Sequence, residues 1–190
     1  NQSEIATNGS SPTTYALGTY SNAASPGTWT NVSSNDTSGN LVSGKGYQMA
    51  TDEGQRLDFT GTVVNSNTSV SITSPASGTK WNLVANPFPS YVNGNSNAGT
   101  NNFFSTNSGV LHDSFTAVYG WDADGSGYTV YNAANTWYIA PGQGFFVASA
   151  NASGSSVSFN LNMRTVTGTG SFVQDSVQDE VEIGLYNGDS

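Results

Sequence analysis

The feature that most constrains this chain is a short motif that occurs twice. Gly44-Lys45-Gly46-Tyr47 leads into Gln48-Met49-Ala50, and Gly142-Gln143-Gly144-Phe145 leads into Phe146-Val147-Ala148, at an offset of 98 residues. The match extends in both directions. Residues 56–63 (RLDFTGTV) align with 156–163 (SVSFNLNM), and 17–32 with 118–133. Residues 69–73 and 80–84 align with 169–173 and 180–184. A repeat of this length sets the fold before any single residue is weighed. It predicts two related units, 1–78 and 79–175, with 176–190 as a terminal strand that closes the sheet or leads into a further module. The first unit lacks the counterpart of 81–85, which implies ends cut from a longer protein.

Within each unit the signals are those of strands. Val157, Phe159, Leu161 and Met163 alternate with polar residues, as do Leu57, Phe59 and Val63, and a period of two marks a half-buried strand. Residues 17–32 and 115–132 each read as two aromatic strands around a polar turn, a β-hairpin. The second unit therefore reads as strand 81–85, polar loop 87–113, hairpin 115–132, strand 142–149, strand 156–163 and strand 170–173. Helical periodicity persists nowhere beyond a turn. The expected fold is all-β, a jelly-roll-like β-sandwich built from two tandem repeats of about 98–100 residues.

Charge narrows the function. Among 190 residues there are 13 carboxylates, 4 Lys and Arg, one His and no Cys, for a net charge of −9. An acidic chain lacks the basic face that nucleic acid requires. No apolar run is long enough to span a bilayer, and neither a disulfide framework nor a thiolate metal site can form. Few lysines and abundant Asn, Ser, Thr and Gly favour an extracellular setting.

The Gly-x-Gly pairs do not read as phosphate loops. Such a loop opens a helix, whereas these glycines lead into strand sequence, and the lysine of one copy is glutamine in the other. A tight turn at the start of a strand is the expected role. Asp122, Asp124 and Ser126 have the alternate spacing of a calcium loop, with Asp113 or Asn132 as further ligands. The acidic residue that an EF-hand places at its twelfth position is absent, Ala133 standing there, and a plain hairpin turn is the commoner meaning of Asp-Gly. No cofactor is required, and Ca2+ is the one candidate ion. His112-Asp113-Ser114 is a run of neighbours, while a triad is a spatial arrangement. Asp52, Glu53, Asp58, Asp122 and Asp124 fall in turns or on polar strand faces rather than in an apolar cleft that would tune them. The chain does not read as an enzyme.

Aromatic residues carry the stronger signal. Phe115, Tyr119 and Trp121 share one strand parity, as do Trp81 and Leu83, and are expected in the core. Trp29, Tyr91, Tyr131, Trp137 and Tyr138 adjoin Asn-rich loops. Exposed rings beside amide side chains offer the apolar face and the hydrogen bonds that a sugar needs, so these five are the expected ligand-binding residues.

The segments WNLVANPFPS (81–90), YIAPGQGFFVAS (138–149) and FNLNMR (159–164) together resemble a module of secreted Bacteroidetes proteins. Its pattern is Trp-Asn-Leu-hydrophobic-Gly-Asn-Pro-aromatic-Pro-Ser, then Gly-x-Gly-Phe-aromatic-Val, then Met-Arg. Residues 41–63 resemble the module that usually precedes it. Ala85 stands where that family usually has Gly. The resemblance covers about residues 15–165 and implies a non-catalytic part of a large exported protein, carried by type IX secretion to the cell surface. It also implies Asp-Ser-hydrophobic acceptors for O-glycosylation at Ser114 and Ser176. The combined expectation is an extracellular or cell-surface attachment module that binds polysaccharide or another surface ligand. The alternative is a spacer or filament subunit in which neighbouring copies join by strand addition.

Overall fold

The computed structural model describes residues 5–35, 39–52, 59–95, 101–121, 127–166 and 168. Twelve strands run through them: β1 (Thr14–Ser21), β2 (Thr28–Ser33), β3 (Gln48–Met49), β4 (Thr68–Ile72), β5 (Trp81–Ala85), β6 (Tyr91–Asn95), β7 (Val118–Trp121), β8 (Tyr128–Tyr131), β9 (Trp137–Ile139), β10 (Gly144–Ala148), β11 (Ser155–Phe159) and β12 (Arg164–Thr165). One short helix, α1 (Phe103–Asn107), lies between β6 and β7. The fold is all-β and sandwich-like, and every strand pairing is antiparallel.

One layer is the sheet β5-β10-β7-β8, and facing it are the pairs β11-β4 and the three-stranded β12-β6-β9. Val84, Val118, Phe145 and Val147 point inward from the first layer, and Ile72, Val92, Ile139, Val157 and Phe159 from the second. Phe103 of α1 closes the gap, its ring 5.3 Å from Phe145 and 5.1 Å from Phe159. Buried rings of this size dominate a core's energetics. The expected boundary at 78/79 is crossed by a five-residue ladder, Ser155↔Ile72 to Phe159↔Thr68. Ile72 is a fully buried member of the same core.

The two Gly-x-Gly segments make the same turn. Lys45 N–H donates to Val42 O (3.1 Å) and Gln143 N–H to Ala140 O (3.2 Å). The third residue of each turn is a glycine at positive φ, +79° at Gly44 and +68° at Gly142, a region that strains other L-residues. Both segments then run beside β5. Gly44 O and Gly46 N–H bond Ala85 N–H and Leu83 O on one side, while Gly144 and Phe145 pair with Ala85 and Val84 on the other. The duplicated motif thus brackets a single strand.

Several expected elements differ. Residues 87–113 are not a loop throughout, since they hold β6 and α1. Asn side chains do the structuring that apolar periodicity would otherwise announce. Asn86, buried, donates to the carbonyls of Ser90, Ile139 and Ala140 and accepts from Phe88 N–H. Asn102 caps α1 by accepting from Ser105 N–H, and Asn107 ties α1 to both backbone groups of Ser158. The strand expected at 156–163 ends at Phe159 and gives way to a single 3-10 turn, which turns Leu161 outward while Met163 stays buried. Phe59 and Val63 are exposed rather than inward, and 59–63 form no strand. Residues 56–58 and the segments 169–173 and 176–190 lie outside the described residues.

Candidate functional site

The outer face of the sheet β5-β10-β7-β8 is aromatic. Each of these strands turns one parity to the core and the other outward. The outward set is Trp81 and Leu83 on β5, Phe146 on β10, Tyr119 and Trp121 on β7, and Tyr128 and Val130 on β8. On β7 the inward neighbours are small or aliphatic, Val118 and Gly120 beside Tyr119, whereas β10 turns Phe145 inward. Tyr119 and Trp121 therefore share a parity as expected, as do Trp81 and Leu83, but it is the outer one, and Trp121 is 54% exposed. Phe115 lies on a 3-10 turn rather than a strand and joins the same face.

The β1–β2 hairpin leans over one side of this face. Tyr20 and Trp29, directly opposed across the hairpin, pack edge-on with ring centroids 5.3 Å apart. Both also meet Phe146 edge-on, at 4.9 and 6.2 Å. Gly27 allows this, because a Cβ there would fall on the Tyr20 ring and hydroxyl. The Tyr20 hydroxyl is held at 3.2 Å from Thr79 Oγ1. On the far side Trp81 meets Phe115 (5.3 Å) and Tyr119 (4.8 Å). Tyr128 approaches Phe146 (5.8 Å) and stacks edge-on with Trp121 (4.9 Å).

Between these rings lies an open cleft of about 280 Å³ lined by Tyr20, Trp29, Trp81, Phe115, Tyr119, Tyr128 and Phe146. It adjoins a second cleft of about 400 Å³ that shares Tyr20 and Trp81 as walls. The second is more polar, with Asn22, Ser43, Lys45, Ser69, Ser71 and Asn82 along it. Asn22 is fixed by hydrogen bonds from its Nδ2 to Thr73 O and Asn82 Oδ1. Together the two are of the size that takes a small ligand or a few units of a polymer. Burial raises the pKa of the Tyr119 hydroxyl above its ordinary 10.0. For Tyr128 burial and then the nearby Tyr20 act in the same direction. Both phenols thus stand neutral in the cleft wall, as hydroxyl donors.

Of the five aromatics expected to bind ligand, one belongs here. Trp29 lines the cleft and is 41% exposed. Trp137 is 3% exposed: it sits on the inward parity of β9, against Tyr131 at 5.7 Å, with Nε1 donating to Asn132 O. Gly94 makes the room, since a Cβ at that position would overlap the Trp137 ring. Tyr131 is partly buried against the core. Tyr91 and Tyr138, both half-buried, lie in the sheet β12-β6-β9 of the opposite layer. The missed residues are Tyr20, Trp81, Phe115, Tyr119, Tyr128 and Phe146. On β7 alone did the sequence carry a partial signal, aromatic Tyr119 and Trp121 alternating with Val118 and Gly120.

The remaining expected sites are placed more simply. Asp122, Asp124 and Ser126 lie outside the described residues, as does Ser176. Asp113 is exposed on a 3-10 turn, Asp113–Phe115. Asn132, also exposed, spends its Oδ1 on Ala134 N–H. Ser114 is exposed on the Asp113–Phe115 turn. Among the described residues no three His, Cys, Asp or Glu side chains gather in a way that could hold a metal ion, and no helix is long and apolar enough to cross a membrane.

No curated protein matches the chain, and no solved structure does. One family does match, over residues 2–184, and its description is a domain of unknown function, DUF8693. By that match, which spans nearly the whole sequence, the chain belongs to the DUF8693 family.

Proposed function

We propose that this chain is a non-catalytic, extracellular attachment module of a larger exported surface protein, and that its aromatic cleft binds a carbohydrate chain. One observation carries the reading: six aromatic side chains from the hairpin β1–β2 and the sheet β5-β10-β7-β8, with Phe115 from the 3-10 turn before β7, converge on one open cleft instead of on the core. Apolar surface of this kind, left open and rimmed by polar groups, marks an interaction site. Ring faces suit the C–H faces of pyranoses, and the adjoining Asn22, Ser43, Ser69 and Ser71 suit their hydroxyls. The resemblance of residues 81–90, 138–149 and 159–164 to modules of secreted Bacteroidetes proteins supports export by type IX secretion and residence at the cell surface.

Affinity electrophoresis through gels that each contain one polysaccharide tests the binding. Retardation in at least one gel, lost in Trp29→Ala and Tyr128→Ala, is the expected result. Equal mobility in all gels, or retardation indifferent to both substitutions, would contradict it.

A second reading, a spacer or filament unit that grows by strand addition, has its own support. Among the described residues β2 and β8 stand at the ends of their sheets, the position at which strand addition takes place. Sedimentation velocity tests it, and a monomer at all concentrations would sink it.

A further inference from the structure

Beside Phe115, one wall of the cleft, two nitrogen groups meet, Lys80 Nζ and His112 Nε2. Lys80 immediately precedes Trp81, and its ammonium lies 5.2 Å from the ring centre of Phe115, one of the cleft walls. His112 approaches the same ring, 5.5 Å between centroids. Both are presented by backbone tied to the end of β10: Ser149 N–H donates to Lys80 O, and His112 N–H donates to Ala148 O, each at 2.8 Å.

The protonation pattern follows from the bonds. Ser114 N–H donates to His112 Nδ1 (3.2 Å), so Nδ1 is an acceptor and the ring proton sits on Nε2. Nε2 is the atom that faces Lys80 Nζ, at 3.2 Å. Two N–H donors therefore stand side by side, an arrangement in which one oxyanion bridging both nitrogens would accept two charge-assisted hydrogen bonds. No carboxylate of the described residues pairs with Lys80. Asp113, next to His112, engages through its backbone carbonyl, with Thr116 Oγ1.

A second cation is close by: Lys45 lines the adjoining polar cleft.

We propose that Lys80 and His112 form the carboxylate-recognising end of this cleft, and that its ligand is an acidic sugar chain, a polymer of uronate residues. The inference rests on the cleft being a sugar site. The pyranose ring lies against the aromatic walls, its carboxylate takes N–H groups from Lys80 Nζ and His112 Nε2, and a neighbouring carboxylate reaches Lys45.

Polygalacturonate and its fully methyl-esterified form, which share a backbone and differ in charge, separate this inference from its basis. Titration calorimetry is expected to show the acid bound about tenfold tighter than the ester, as one charge-assisted pair would give. Lys80→Gln lowers binding of the acid toward the ester's level, while Lys80→Arg restores it. Trp29→Ala weakens both. Acid and ester bound equally, or acid binding untouched in Lys80→Gln, overturns the role of the pair. Should neither polymer bind while a neutral polysaccharide does, the uronate assignment falls and the cleft stands. Binding of no polysaccharide at all removes both.

Discussion

Tyr20 and Phe146 meet edge to face with ring centroids 4.9 Å apart, one from the first hairpin and the other from the strand that follows the second Gly-x-Gly turn. This contact seats the hairpin over the sheet and makes a cleft out of an aromatic face. Trp29 lies beside it. Trp29→Ala is expected to weaken polysaccharide binding strongly at some cost in stability, since at 41% exposure the ring still packs on Tyr20 and Phe146. Tyr20→Ala, which removes the seat itself and the bond to Thr79, is expected to lower both. Equilibrium urea unfolding beside the binding assay distinguishes the two.

The paired turns give a graded prediction. Gly142 sits at φ +68° with nothing within 4 Å of an added Cβ, whereas at Gly44, φ +79°, that Cβ would also overlap Val70 Cγ2. Gly142→Ala therefore carries the backbone cost alone, about 1–2 kcal/mol. Gly44→Ala adds an overlap and is expected to be the worse of the two. Chemical unfolding midpoints of both variants check the order.

Asn86 tests what organises the segment after β5. Its side chain serves three carbonyls and one N–H, and truncation leaves buried polar groups unpaired at about 1–3 kcal/mol each, less than additively. Asn86→Ala is expected to destabilise by at least about 2 kcal/mol, with Asn86→Asp only partly better because it supplies no donor. Thermal melting measured by circular dichroism reads the difference.

Alkaline pH acts on the cleft walls. Tyr119 and Tyr128 hold their protons above the ordinary 10.0, so in that range the folded state binds more protons than the unfolded chain. Stability owed to these phenols is intact below pH 10 and falls as pH rises through their folded values. Tyr128→Phe is expected to flatten the alkaline decline in melting temperature, and tyrosinate absorbance should show late-ionising phenols in the wild type. A decline identical in both proteins would contradict this.

Much of the fold was legible because period two and turn chemistry are local. Both hairpins, β5, β10 and the start of β11 follow from them, and the Gly-x-Gly turns follow from their placement before strand sequence. The inside and outside of the β5-β10-β7-β8 sheet were not legible. Both parities there are apolar, Trp81 and Leu83 against Val84, Phe146 against Phe145 and Val147, so alternation fixes the pleat without choosing the buried face. That choice depends on what the facing layer supplies, and Phe88, Phe103 and Met163 supply it from segments with little periodicity of their own. Trp137 was misplaced for the same reason: its neighbours in sequence are polar, but Gly94 opens a slot for it across β6. Lys80 and His112 carried no sequence signal as a pair, because only the ends of β5 and β10 bring them together.

The most direct test of the cleft as a sugar site is intrinsic tryptophan fluorescence during polysaccharide titration. Trp29 and Trp81 line the cleft and Trp121 adjoins it, while Trp137 is buried elsewhere. A saturable change in emission with a bound polysaccharide, much reduced in Trp29→Ala, is the predicted result. Emission that no polysaccharide alters, or that responds equally in Trp29→Ala, would contradict the account.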